Sequence, residues 1–159
     1  MKEIKLDIGC GRQLKEGWIG LDIQKFPGTE VYDMRKDQLP FNDGEVDAIR
    51  CINTLEHISR EHYLFVFNEW YRALKVGGTV EFIVPNLEKN IAHAWGDITH
   101  LSPWVHATVK YLSGERPRHA SYGFLPWEIV KCEDLKEEPR DLHVIMKTRL
   151  DKKTGKKYA

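Results

Sequence analysis

Apolar residues alternate or run briefly along the first fifty positions, then change to a helical spacing. Lys5 to Ile8 leads into Gly9-Cys10-Gly11, which reads as a strand stopped by a turn. Trp18–Ile23, Thr29–Met34 and Val46–Ile52 read as the next three strands. From Glu56 to Val76 the period shifts: Leu64, Phe67, Tyr71 and Leu74 are spaced three, four and three apart, which predicts a helix. Gly77-Gly78 then supplies a C-terminal cap, and Thr79–Val84 forms a fifth strand closed by Pro85-Asn86. Residues 87–126 are irregular with some helix. Trp127–Cys132 and Leu142–Thr148 read as a closing antiparallel pair around the charged stretch 133–141. The order implies an α/β domain with a mostly parallel sheet.

The early connections are short. Residues 12–17 separate the first turn from the second strand, and 24–28 separate the second from the third. Parallel crossovers usually take a dozen residues or more. Parallel neighbours here require crossover helices cut to about one turn. So little helix would leave apolar sheet or helix surface bare in a monomer, which motivates a homodimer or a partner subunit.

Composition narrows the class. The chain has 159 residues, enough for a single domain, expected over 1–150. No apolar run is long enough to span a bilayer, and the N-terminal stretch has no apolar core of a secretory signal, so no membrane association is expected. Lys+Arg and Asp+Glu are 24 each. Six of the basic residues and one acid, Asp151, fall in 147–157, so residues 1–146 hold 18 basic and 23 acidic groups. An acidic body argues against a nucleic-acid partner, and 151–159 reads as a basic, frayed tail. The three cysteines, Cys10, Cys51 and Cys132, form no CxxC pair, which points to reduced thiols and a cytoplasmic location.

The candidate chemistry starts at Leu6-Asp7-Ile8-Gly9-Cys10-Gly11. Glycines at such a turn let a ligand lie against the main chain. Asp22 ends the second strand eleven residues after Gly11, where a carboxylate can accept hydrogen bonds from both hydroxyls of a ribose. A dinucleotide site would need a third glycine where Leu14 stands, and an acid about 20 positions on. A nicotinamide-dependent oxidoreductase is therefore disfavoured, and a nucleoside without phosphates fits better.

LDIGCG, GLDI, LPFNDGEVDAIRCINTLEHI and NEWYRALKVGGTVEFIVPN, in this order over residues 4–86, resemble the motifs of S-adenosylmethionine-dependent methyltransferases with a Rossmann-like fold. They are most similar to a small branch with an "LPF…LEH" signature. The resemblance implies a mostly parallel sheet with a closing antiparallel strand, and S-adenosylmethionine as cofactor. It implies that Asp7, Gly9, Cys10 and Gly11 line the methionine part, that Asp22 holds the ribose and that Ile23 packs on the adenine. Asp33 and Met34 would lie at the adenine edge. Asn53, Thr54 and Leu55 would lie near the sulfonium, with His57 beside them. Gln13 stands where the family has a further glycine, and the first crossovers are shorter than in typical members. The implied activity is methyl transfer to an oxygen or nitrogen of a small or surface-exposed acceptor. The alternative is a non-catalytic cofactor-binding subunit that stabilises a partner.

Residues 87–126 follow the fifth strand, where an α/β sheet builds its ligand pocket. They hold His93, Trp95, His100, Trp104, His106, Tyr111, His119, Tyr122 and Phe124. Histidine titrates near ~6.5 and can take a proton from an acceptor. His100 lies three residues after Asp97, close enough for the carboxylate to orient the imidazole, so His100, His57 and Asp97 are the catalytic candidates. His93, Asp97 and His100 could share a helix face as metal ligands, but they serve better as a pocket, and no metal is expected.

Overall fold

The computed structural model describes residues 3–114, 121–151 and 153–158. Seven strands form one sheet: β1 (Lys5–Ile8), β2 (Ile19–Asp22), β3 (Thr29–Val31), β4 (Val46–Ile52), β5 (Leu74–Val84), β6 (Trp127–Asp134) and β7 (Leu142–Thr148). Their order is β3-β2-β1-β4-β5-β7-β6. The first five are parallel neighbours, and β7 pairs antiparallel with both β5 and β6. This is the predicted α/β sheet with a closing antiparallel pair. Among the described residues the named α-helices are α1 (Tyr63–Ala73), α2 (Ile91–Trp95) and α3 (His106–Leu112).

The short crossovers do join parallel neighbours, but they hold no helix at all. Residues 9–18 pass from β1 to β2 through turns closed by Gln13 N–H to Cys10 O and Trp18 N–H to Lys15 O. Leu14 packs over Gly20 of β2 in place of a helix.

The expected helix over 56–76 is corrected at both ends. Two single 3₁₀ turns, Leu55–His57 and Arg60–His62, come first, and α1 starts only at Tyr63. At the other end Leu74 already has extended backbone and pairs with Val46, so Gly77-Gly78 lies inside β5 and caps nothing. Gly77 has φ 73° and donates its N–H to Thr148 Oγ1, a kink that glycine permits. The helix end is capped from the tail: Lys157 Nζ donates to the carbonyls of Tyr71, Arg72 and Leu74 at 2.6–2.9 Å. A cation there meets both the free carbonyls and the helix dipole. Lys157 of the basic tail is thus held against the body, and Lys152 and Ala159 lie outside the described residues.

One sheet face carries the core. Leu6, Ile8, Ile49, Cys51, Val80, Phe82, Val144 and Met146 are buried with Val66, Phe67 and Trp70 of α1 and Val109 of α3. Trp104 and Trp127 close this layer, their rings 6.3 and 6.4 Å from Phe67. The alternate strand positions carry charge. Arg50 pairs with Asp7 at 3.0 Å, His143 with Glu81 at 2.7 Å and Lys147 with Glu128 at 3.0 Å. Strand alternation gives part of the second face to cross-strand ion pairs, which tolerate water, while Ile19, Val31, Val130 and Leu64 stay exposed, so apolar sheet and helix surface is left bare as expected.

Candidate active site

The carboxyl ends of β1, β2 and β4 converge on the Gly9-Cys10-Gly11 turn. Gly9 has φ 69° and donates its N–H to Leu21 O at 2.8 Å. A Cβ at Gly9 would stand 2.4 Å from Thr54 Cγ2, so glycine is required for both conformation and space. Thr54 closes this contact with its Oγ1 3.0 Å from Ile52 O and 3.2 Å from Gly9 O, sharing one hydroxyl hydrogen between them. Asn53, just before it, has φ 49°, a left-handed conformation uncommon outside glycine and typical of functional loops.

Two cavities flank the turn. One, of about 310 Å³, is lined by Gly9, Asp22, Ile23, Tyr32, Asp33, Met34, Arg35, Asn53, Thr54, His57 and Ile58. The other, of about 520 Å³, is lined by Asp7, Cys10, Gly11, Arg12, Gln13, Phe26, Arg50 and Ile52, and shares Gly9 and Asn53 with the first. An elongated ligand with two chemically distinct ends can cross the main chain between them.

The first cavity fits a nucleoside. Asp22 accepts Gly11 N–H and Gln24 N–H at 2.9 Å each, which fixes the carboxylate and leaves further lone pairs for hydroxyl donors. Ile23 and Met34 supply apolar walls. Arg35 forks onto Asp33 at 2.7 and 2.8 Å, and these hydrogen bonds hold the Asp33 carboxyl below its usual range. The Tyr32 hydroxyl is buried without a partner among the described residues, and burial pushes its pKa up.

Of the sequence-predicted cofactor residues, the structure brings Gly9, Asp22, Ile23, Asp33, Met34, Asn53, Thr54 and His57 to the first cavity. Asp7, Cys10 and Gly11 reach the second. Asp7 is already held by Arg50 and by Lys15 N–H, so it anchors the loop that shapes this wall. Burial, then Asp7 and Asp22, push the Cys10 thiol pKa up, which keeps that thiol protonated beside the charged Asp7 and Arg50. Leu55 lines neither cavity: its side chain is fully buried in the core, and its carbonyl accepts the Tyr63 hydroxyl.

The catalytic candidates meet, with a different wiring. His57 and His100 stand edge to face with ring centroids 4.8 Å apart. Asp97 does not orient His100: its Oδ2 is 3.8 Å from Nε2, beyond a hydrogen bond. Asp97 accepts the Thr99 amide at 2.8 Å and hydroxyl at 2.7 Å, which hold its carboxyl below the usual range. Thr99 in turn meets His57 Nδ1 through its carbonyl at 3.2 Å and its hydroxyl oxygen at 3.1 Å. His100 Nδ1 faces Ala94 O at 3.0 Å. Other histidines of this segment are committed elsewhere: His93 to Asp141, and His106 to Glu88 and Asp134. His119 lies outside the described residues. Trp104 is a core residue and no pocket wall.

Sequence reasoning missed Tyr32, Arg35, Ile58 and Glu56. Glu56 is the most consequential. It is 2% exposed, its Oε2 has no hydrogen-bond partner among the described residues, and burial pushes its carboxyl up to about 7. Its carbonyl accepts the amides of Leu101 and Ser102, which ties the turn after β4 to the loop carrying His100. The available signal was an acid framed by Leu55 and Ile58 within the motif already singled out.

Residues 15–82 match a family model described as a methyltransferase domain. The match spans 68 of the 159 residues and makes that stretch similar to a methyltransferase domain, which in the similar solved structures is S-adenosylmethionine-dependent. Solved structures agree with it in fold. A methyltransferase of this kind from Archaeoglobus fulgidus superposes with a TM-score of 0.64 at 18% identity, over 91% of this chain and 86% of that one. One from Methanosarcina mazei gives 0.62 at 17%, over 95% of each chain. The complex of the Haloferax volcanii Trm112 methyltransferase activator with a methyltransferase gives 0.64 at 16%, over 92% and 82%. No curated protein matches the sequence significantly. No described helix is long and apolar enough to cross a membrane.

Proposed function

We propose that the domain transfers a methyl group to an oxygen or nitrogen nucleophile of a small-molecule or surface-exposed acceptor. The observation that carries this reading is the group formed by Glu56, His57 and His100 beside Thr54, at one end of the nucleoside-shaped cavity. Bound S-adenosylmethionine supplies an electrophilic methyl group on a sulfonium centre. The chain's own part is binding and alignment. Asp22 takes the ribose hydroxyls, Ile23 and Met34 sandwich the base, and the main chain at Gly9 and Gly11 passes the amino-acid end into the second cavity. His57, exposed on the cavity wall, is where an acceptor docks and gives up its proton, with His100 and the buried Glu56 packed behind it. General-base assistance contributes on the order of 10²–10⁴ in rate.

The test is release of S-adenosylhomocysteine from a panel of hydroxyl- and amine-bearing acceptors, with His57→Ala and His100→Ala assayed beside the wild type. The reading requires loss of turnover in at least one variant at nearly unchanged cofactor affinity. Full turnover in both would reject the patch as the acceptor site. The unpaired thiols of Cys10, Cys51 and Cys132 support a cytoplasmic location. The activator complex of the Haloferax relative supports the partner-subunit reading over the homodimer. A non-catalytic role is the weaker alternative, because it gives the buried Glu56 and the paired imidazoles no task.

A further inference from the structure

We propose that Glu56, His57 and His100 form a binding site for one divalent transition-metal ion, open towards the cofactor cavity. One ligand atom from each residue lies within 4.8 Å of the others. The hydrogen bonds fix which nitrogen each imidazole offers. His100 Nδ1 faces the Ala94 carbonyl, which can only accept, so Nδ1 carries the hydrogen and Nε2 keeps its lone pair. His57 Nδ1 faces the Thr99 carbonyl, and the Thr99 hydroxyl is already donating to Asp97. His57 therefore also presents an unprotonated Nε2. Metal-bound histidines are oriented in this way, through a carbonyl or carboxylate on the other nitrogen.

Glu56 is the independent observation. Glu56 is 2% exposed and its Oε2 has no donor among the described residues; a carboxylate oxygen so placed is costly unless a proton or a cation sits on it. Two imidazole nitrogens and one carboxylate oxygen suit zinc, cobalt(II), nickel(II) or iron(II), and suit magnesium or calcium poorly. His57 is exposed and lines the cavity, so three protein ligands would leave an open position facing the cofactor, the pattern of catalytic rather than structural sites.

This rests on the methyl transfer proposed above and replaces its imidazole base by the bound ion, because both Nε2 lone pairs are then on the metal. The acceptor class becomes an oxygen or nitrogen group able to ligate the ion, such as an enol, a phenol or a hydroxamate. Its proton would pass to solvent on coordination instead of to an imidazole.

The experiment uses the full chain, stripped with a chelator and titrated with cobalt(II) alone. Binding at one equivalent with visible d–d absorption is expected, reversed by zinc. Glu56→Gln and His100→Ala should each weaken it by about tenfold or more. S-adenosylhomocysteine affinity, measured in parallel, should stay the same in both variants. Absence of stoichiometric binding, or binding that both variants retain, would overturn the site. The latter would place the ion elsewhere, for example on the half-buried thiols of Cys10 or Cys132. Loss of cofactor binding by the wild type would instead reject the methyltransferase reading, so the two failures separate.

Discussion

The two halves of the site are built by opposite means. The cofactor half is local: Gly9, Gly11 and Asp22 lie within fourteen residues of one another, and backbone amides do much of the positioning. The acceptor half is long-range: Glu56 and His57 meet the 94–102 loop across some forty residues, through carbonyls and side chains. A local turn is encoded by residue type at fixed spacing. A cluster assembled across the fold depends on packing elsewhere, so single substitutions outside it should reach only the acceptor half.

The largest expected effect is of that kind. Trp104 is buried against Tyr63, Phe67 and Phe82, with ring centroids 5.2–6.3 Å away, and it fixes the end of the acceptor loop. Trp104→Ala should destabilise the fold by about 3–5 kcal/mol in denaturant titration. A loss well under ~1 kcal/mol would show that the loop is held by its hydrogen bonds alone.

Lys157→Ala comes next. Removing a cation bonded to three helix-end carbonyls should lower stability by about 1–2 kcal/mol while leaving cofactor affinity intact. An unchanged unfolding midpoint would mean that the tail adds nothing to the body.

Thr99→Val sharpens the comparison inside the acceptor half. It removes the hydroxyl between Asp97 and His57 and keeps the carbonyl on Nδ1. Turnover should fall by a few-fold, the size of one hydrogen bond of about 0.5–1.5 kcal/mol, with cofactor affinity unchanged. A matching loss of cofactor affinity would show that the halves are not separable.

The smallest effect concerns Asp33. Its carboxyl is held below the unfolded value of about 3.9, chiefly by Arg35. Its contribution is therefore present above that pH and lost as pH falls through the folded value. Because Arg35 is 45% exposed, Arg35→Gln should cost at most ~0.5 kcal/mol at neutral pH and nothing in strong acid. Equal losses at both pH values would assign the effect to packing instead of charge.

This contrast also explains what was legible in the sequence. β1, β4 and β7 match their predicted bounds, because alternation and turn residues are local signals. The helix 56–76 was misread because its period runs through residues that pairing with β4 and the Lys157 cap assign differently. Asp22 could be placed from its spacing to Gly11. The partner of Asp97 could not: Thr99 lies two residues on and His100 three, and only the folded loop decides between them. Glu56 stayed hidden because a charged residue beside leucine gives no sign of burial until the 101–102 amides close on it.

The central claim is that this chain holds S-adenosylmethionine across the Gly9–Gly11 turn, with Asp22 on the ribose. Calorimetric titration of S-adenosylhomocysteine into wild type and Asp22→Ala tests it most directly. The account predicts binding to the wild type and a loss of ~1.5–3 kcal/mol in the variant, roughly ten- to a hundredfold, with both proteins folded. Equal affinity in the two proteins, or tighter binding of a nicotinamide dinucleotide, would contradict it.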